Sequence, residues 1–315
     1  MFLCVSANPA IDKQIRMTEF RIGAVNRAIE ATPEPGGKAA HVAMALRGLG
    51  ETPQWIGFAG GATGEVLVSG LKALGIRAQE TATQDATREN FAILDDAGIV
   101  TEILEPGGRP SAREVEAFRR ACEKEFARGK KKLVVIVSGS LPRGVPTNFY
   151  APLIRSAHSS GCRVILDSSG EALRRGVAAR PDLVKPNREE AEALTGVKIR
   201  DVASARKALG QILEMGARSV AISLGKDGVL WSAGKAQPIL HARAPEVSKR
   251  SAVGSGDATV AGFACGISNG LSPEKVLKLA VACGSANPFA DSPGRIRLSA
   301  VRKMERKVRV ETLPG

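Results

Sequence analysis

Asp257 is the residue whose surroundings most demand a chemical explanation. It follows Gly254, Ser255 and Gly256 within residues 251–263, and a helical pattern begins at once. Val260, Phe263, Ala264 and Ile267 recur at i, i+3, i+4 and i+7, and Asn269-Gly270 supplies a stop. Glycines let backbone N–H groups turn toward one point, and a helix N-terminus adds partial positive charge there. Such a seat takes a phosphate or a developing oxyanion. A carboxylate beside a bound anion needs another task, and the natural one is to accept a proton from a hydroxyl attacking the phosphoryl group. An ordinary glycine turn, with Asp257 as a first-turn charge, is the plainer alternative.

Other candidates have the same form. Gly36-Gly37 precede an alanine-rich helical stretch, and Lys38 opposes the dipole of that helix, a conflict that a bound anion resolves. His41 lies near the same mouth, as a hydrogen-bonded wall residue or as a participant. Asp12 follows the first strand, where a short polar side chain lines a ligand crevice or merely closes a turn. Ser138-Gly-Ser-Leu-Pro142 places two hydroxyls at a strand's carboxyl end, and Asp167-Ser-Ser-Gly170 ends another. In Lys185-Pro186-Asn187, proline forbids helix before it and favours helix after it. Asn187 and Glu190 fit a capping box, and equally fit a hydrated magnesium ion.

The elements that must carry these residues read as alternating β and α units. Residues 2–6 and the run 133–137 are buried strands. Strands over 162–166, 182–184, 219–222 and 229–231 alternate with helices built on Phe118, Cys122 and Phe126, on Leu153 and Ile154, and over 205–215. Ser272-Pro273 opens a further helix. Ligand-type residues at successive strand ends predict a mostly parallel sheet with helices on both faces. Residues 13–34 and 87–106 depart from this pattern. Stretches 14–17, 25–31, 90–94 and 99–104 suit exposed strands, predicting a small second sheet that acts as a lid or a dimer contact.

The 315 residues carry 45 Lys and Arg against 32 Asp and Glu, a net charge of +13 and a pI near 9.8, which suits anionic ligands. Aromatic residues are only 4% of the chain, too few for base-stacking platforms, so no nucleic-acid partner is expected. The five cysteines lack metal-ligand spacing and read as reduced core thiols. No signal peptide and no membrane-spanning run is recognised, so a cytoplasmic protein is expected. No Gly-x-Gly-x-x-Gly follows the first strand, which argues against a nicotinamide-binding dehydrogenase.

Five motifs agree in order and spacing: Gly36-Gly37-Lys38, Ser138-Gly-Ser-Leu-Pro142, Lys185-Pro-Asn-x-x-Glu190, Ser223-Leu-Gly-x-x-Gly228 and Gly254-Ser-Gly-Asp257. Together the set resembles the ribokinase-like PfkB carbohydrate kinases across nearly the whole chain. Asn8-Pro-Ala-Ile-Asp12, Ala59-Gly-Gly-Ala-Thr-Gly-Glu65, Thr87-Arg-Glu-Asn90 and Asp167-Ser-Ser-Gly-Glu-Ala-Leu173 resemble the sugar-phosphate branch. That branch holds 1-phosphofructokinase, tagatose-6-phosphate kinase and the minor 6-phosphofructokinase.

The resemblance implies one ribokinase-like domain over 1–315, with a three-layer α/β/α core and a β-lid that makes a homodimer contact. It implies ATP and magnesium, a sugar-phosphate substrate and a bisphosphate product. By the same resemblance Asp257 is the base, and Gly254, Ser255 and Gly256 form the anion hole. Asp12, Gly36, Gly37, Lys38, His41, Arg88 and Ser138 contact substrate, with Arg88 suited to its phosphate. Lys185, Asn187, Ser223, Gly225, Gly228 and Asn287 contact nucleotide, and Asn187 with Glu190 the metal. The departures are Lys38-Ala-Ala-His41, where the family has Lys-Gly-x-Asn or Gly-Gly-x-Asn, and Ser255, where it has alanine. His41 offers one donor and one acceptor when neutral and only donors when charged. A kinase for a neutral sugar or nucleoside, and a non-catalytic sensor, remain the rival readings.

Overall fold

The computed structural model describes residues 1–245 and 252–313, so Ser251 lies outside the described residues. In chain order the strands are β1 (Phe2–Ser6), β2 (Ala10–Arg16), β3 (Glu30–Gly36), β4 (Pro53–Ala59), β5 (Arg77–Ala82), β6 (Arg88–Leu94) and β7 (Val100–Leu104). They continue as β8 (Val134–Ser138), β9 (Arg163–Asp167), β10 (Leu183–Val184), β11 (Val220–Ser223), β12 (Val229–Ser232), β13 (Ile239–Arg243) and β14 (Arg309–Thr312). The helices are α1 (Lys38–Gly48), α2 (Gly61–Ala73), α3 (Ala112–Gly129), α4 (Tyr150–Ser159), α5 (Gly170–Val177), α6 (Arg188–Thr195), α7 (Val202–Glu214), α8 (Ser255–Ser268), α9 (Pro273–Ala286) and α10 (Leu298–Glu305).

Ten strands form one sheet in the order β14-β13-β12-β11-β10-β9-β8-β1-β4-β5. Pairing is parallel from β5 through β11 and antiparallel from β11 through β14. Every residue of β1 and β8 is buried, and their side chains alternate between two cores as a pleated strand requires. Phe2, Cys4, Val134 and Ile136 face the layer of α1, α8 and α9, whereas Leu3, Val5, Val135 and Val137 face α3 to α7. Unbroken aliphatic runs are what burial on both faces demands, and they account for the three layers. All five cysteines are buried and free. Burial pushes the thiols of Cys4, Cys122 and Cys283 far above the usual range, and that of Cys265 up to about 12.

The chain leaves β1 for β4 on one side of the sheet and later returns to place β8 on the other side of β1. This is a topological switch point, and in such sheets the ligand crevice opens beyond the carboxyl ends of the strands on either side. A second sheet, ordered β3-β2-β6-β7, stands over that crevice. It is two hairpins joined by a parallel β2–β6 pairing. One boundary differs from the sequence-based expectation. The strand expected over 25–31 runs instead over Glu30–Gly36 and includes Pro33 and Pro35. β3 is an edge strand, where a missing N–H leaves no ladder bond unmade.

No helix among the described residues is long and apolar enough to cross a membrane.

Candidate active site

Two glycines create the space in which the site is built. A Cβ on Gly36, the last residue of β3, would lie 2.2 Å from Asp12 Cγ, so only glycine lets the neighbouring carboxylate turn inward. Gly254, the N-cap of α8, has φ +80°, and a Cβ there would lie 2.8 Å from Pro293 Cβ. At this left-handed position the chain turns sharply into the helix, placing the first-turn amides ahead of any intrahelical acceptor. Asp257 sits in that turn, only 6% exposed.

One side of the crevice is knitted together by His41. The ring Nε2 lies 2.8 Å from Asp12 Oδ2, and Nδ1 lies 2.9 Å from Asp257 Oδ2. Asp12 Oδ1 accepts from Asn90 Nδ2 at 2.8 Å, and Asp12 Oδ2 from the Gly37 amide at 3.4 Å. Burial alone would raise the Asp12 carboxyl and lower the His41 imidazolium, but their mutual hydrogen bonds outweigh it. Asp12 is held below the usual carboxylate range, and His41 is pushed up to about 10. Asp257 Oδ1 has no protein partner among the described residues. Both ring nitrogens of His41 thus lie against protein carboxylates.

The opposite wall is cationic. Asp167 Oδ1, at the end of β9, takes Lys38 Nζ at 3.3 Å and Lys185 Nζ at 3.5 Å. Lys38 also lies 3.6 Å from Glu190 Oε1. Burial disfavours its charge, yet these carboxylates hold the ammonium well above the usual lysine range. The opposition between Lys38 and its helix dipole is thus resolved by side chains before any ligand arrives. Asp167 Oδ2 and Ser138 Oγ, on paired residues of β9 and β8, are buried without a hydrogen-bond partner. Asp167 was legible in the sequence only as a strand end. Its position after an aliphatic run was the same signal that singled out Asp12.

Asn187 and Glu190 form a complete capping box on α6: Glu190 N donates to Asn187 Oδ1 at 2.7 Å, and Asn187 N to Glu190 Oε2 at 2.9 Å. No group of three or more His, Cys, Asp or Glu among the described residues could hold a metal by itself. An orphaned Asp167 Oδ2 near Glu190 instead fits magnesium held through water and phosphate oxygens, the usual habit of that ion.

Ser223 ends β11, bridged to Asn187. It leads into the tight turn Gly225–Gly228, whose shape is fixed by Gly228 N donating to Gly225 O at 3.0 Å. His241 Nε2 donates to Asp227 O at 2.7 Å, and Arg188 pairs with the Asp227 carboxylate at 2.9 Å.

Asn287, expected on the nucleotide side, has its amide committed elsewhere. Its Nδ2 donates to Val253 O at 2.7 Å and Ser255 Oγ at 3.4 Å, and its Oδ1 accepts from Gly294 N at 2.8 Å. It braces the loop ahead of α8. Arg88 is likewise engaged, donating to the carbonyls of Pro9, Glu105 and Asn8. Those bonds use three of its five N–H groups. It borders a small open pocket lined also by Asn8, Thr87, Arg109 and Pro142.

The pfkB family carbohydrate kinase model matches residues 4–289. Tagatose-6-phosphate kinase of Staphylococcus epidermidis is 32% identical over 313 residues, covering 98% of this chain and 99% of that protein. Phosphofructokinase-2 of Escherichia coli in complex with fructose-6-phosphate superposes with a TM-score of 0.88, at 29% identity over 98% of both chains. A Thermotoga maritima protein described as a possible 1-phosphofructokinase gives 0.89, at 25% identity over the full length of both.

Proposed function

This chain belongs to the pfkB family of carbohydrate kinases, and we propose that it transfers the terminal phosphoryl group of ATP to a hydroxyl of a hexose phosphate, giving a bisphosphate. One observation carries the reading: a buried carboxylate, Asp257, presents an oxygen without a partner among the described residues at the first turn of α8, facing a wall that carries Lys38 and Lys185. Asp257 Oδ1 takes the proton of the acceptor hydroxyl as that oxygen attacks the phosphorus. The backbone at Gly254, Ser255 and Gly256 receives the charge of the transferring group, and the two ammonium groups neutralise it from the other side. Asp12, Gly36 and Gly37 orient sugar hydroxyls, with Ser138 at the floor. Arg88 keeps two N–H groups for the substrate's own phosphate, in the cavity it shares with Arg109. Ser223, Gly225 and Gly228 seat the nucleotide. Asp167 and Glu190, with Asn187 beside them, would hold magnesium through water, and the ion would supply further charge neutralisation on the phosphates.

The deciding measurement is ADP release with fructose 6-phosphate, fructose 1-phosphate, tagatose 6-phosphate, fructose and a nucleoside offered separately. Turnover on a phosphorylated hexose that collapses in Asp257→Asn supports the proposal. Turnover on fructose or a nucleoside alone overturns the phosphorylated acceptor. Binding without turnover on any acceptor makes the protein a sensor.

The second sheet supports a further proposal, a homodimer formed through it. Ile103 and Leu104 on β7 are exposed, as are Ile22, Val25 and Ile29 in the β2–β3 connection and Ile99 just before β7, an apolar set that a second copy would cover. Ile103→Glu is expected to shift the protein toward monomer in light scattering, and an unchanged mass would place the contact elsewhere.

A further inference from the structure

The contacts of His41 carry more than a place in the wall. An ionised carboxylate only accepts hydrogen bonds, so a ring bonded to two of them must donate from both nitrogens. A neutral imidazole has one N–H and cannot do so. The hydrogen bond joins residues 216 positions apart, from α1 to α8, and an ion-pair contact of Nε2 with Asp12 at 2.8 Å reaches β2 in the other sheet.

Resting on the kinase reading above, we propose that His41 is a positioning residue for phosphoryl transfer. It holds Asp257 by Oδ2, so that Oδ1 is the one oxygen presented to the acceptor hydroxyl. By binding Asp12 with the same ring, it locks the base to the carboxylate that orients the sugar.

The charges around the ring are consistent with this role. Asp12 faces it from β2, Glu102 from β7 and Asp257 from α8. Arg88 on β6 acts on Asp12, and Lys38, on the same helix as His41, acts on Asp257. A positive ring between Asp12 and Asp257 halves the negative charge that a phosphorylated sugar would otherwise meet at the mouth of the crevice. It also restrains Asp257 against rotation, and in transfer reactions a misplacement of about 1 Å can cost about a hundredfold in rate. Asparagine at this position has one amide nitrogen and cannot donate along these two opposed directions from a ring edge.

The state of the ring can be read without turnover. The chain has three histidines. Long-range nitrogen–proton correlation spectra of the ¹⁵N-labelled full-length protein at pH 8 should show a ring with both nitrogens protonated that is assigned to His41 by its absence from His41→Asn. A neutral His41 ring at pH 8 overturns the proposal. In the kinetic arm, His41→Asn and His41→Gln should lower kcat by about tenfold to a hundredfold, with KM for both ATP and sugar phosphate within about twofold. The wild type should lose activity as pH rises through about 10, a limb absent from both variants. A raised sugar KM with unchanged kcat would make His41 a substrate contact and overturn the positioning role. If the wild type phosphorylates nothing, the kinase reading falls, while the spectra still decide whether the ring clamps both carboxylates.

Discussion

The two ends of the crevice are prepared to different degrees. At the acceptor end Asp12 is paired through both oxygens and Asp257 through one, within a buried set that includes His41 and Asn90. At the proposed phosphate end Asp167 Oδ2 is buried with no hydrogen-bond partner among the described residues, and two ammonium groups converge on the other oxygen of that carboxylate. One end is assembled before any ligand arrives, and the other is completed by it. Proximity and orientation are what the acceptor must supply, so its side benefits from rigidity. The nucleotide brings its own charges, and its side benefits from groups held in reserve.

The largest effect expected at the prepared end is that of Asp257→Asn. It keeps the shape, removes the proposed base and should lower kcat by about 10² to 10⁴ with ATP binding retained. Equal loss of ATP binding would show that the two ends are not separable. At the other end Asp167→Asn leaves Lys185, 3% exposed, and Lys38 facing one another without their shared carboxylate. Removing one partner of a buried pair costs about 3–5 kcal/mol, to be read from urea denaturation, and added ATP should recover part of the loss. Asn287→Ala removes three hydrogen bonds that brace residues 253–255 and 294, and should cost about 1–3 kcal/mol while lowering kcat through a looser anion turn.

The smallest effect is a pH dependence of stability. The folded pKa of His41, about 10, lies above its ordinary value. Its contribution is therefore complete below the ordinary histidine range and is lost as pH rises through about 10. Asp12, held low, contributes above its ordinary value, and that part is lost in acid. Thermal melts from pH 7 to pH 10 should fall more steeply for the wild type than for His41→Asn. Parallel curves would mean the ring is not charged in the folded protein.

Much of the scaffold was legible in the sequence because it is local. Aliphatic runs such as 133–137 declare strands buried on both faces, and Asn187 with Glu190 declares a capped helix that the structure bears out in full. The sheet's margins were not legible. β5, β13 and β14 mix charged and apolar residues because an edge is only partly covered, and β3 hides behind two prolines. In the site, strand ends and glycine turns marked Asp12, Asp257 and the anion loop. What the sequence did not disclose is pairing across distance. Nothing near His41 announces a partner 216 residues away, and nothing near Asn287 announces that it serves a loop 34 residues earlier.

The five buried thiols give the molecule an intrinsic reporter. They lie on β1, α3, α8 and α9 and just ahead of β9, so each samples a different part of the two cores. A thiol reagent reaches them only when the packing around them opens, because neither access nor the thiolate is available in the folded state. The order in which they react would map which layer loosens first. The same reaction repeated with ATP or a sugar phosphate present would show how far occupancy of the crevice quiets the sheet beneath it.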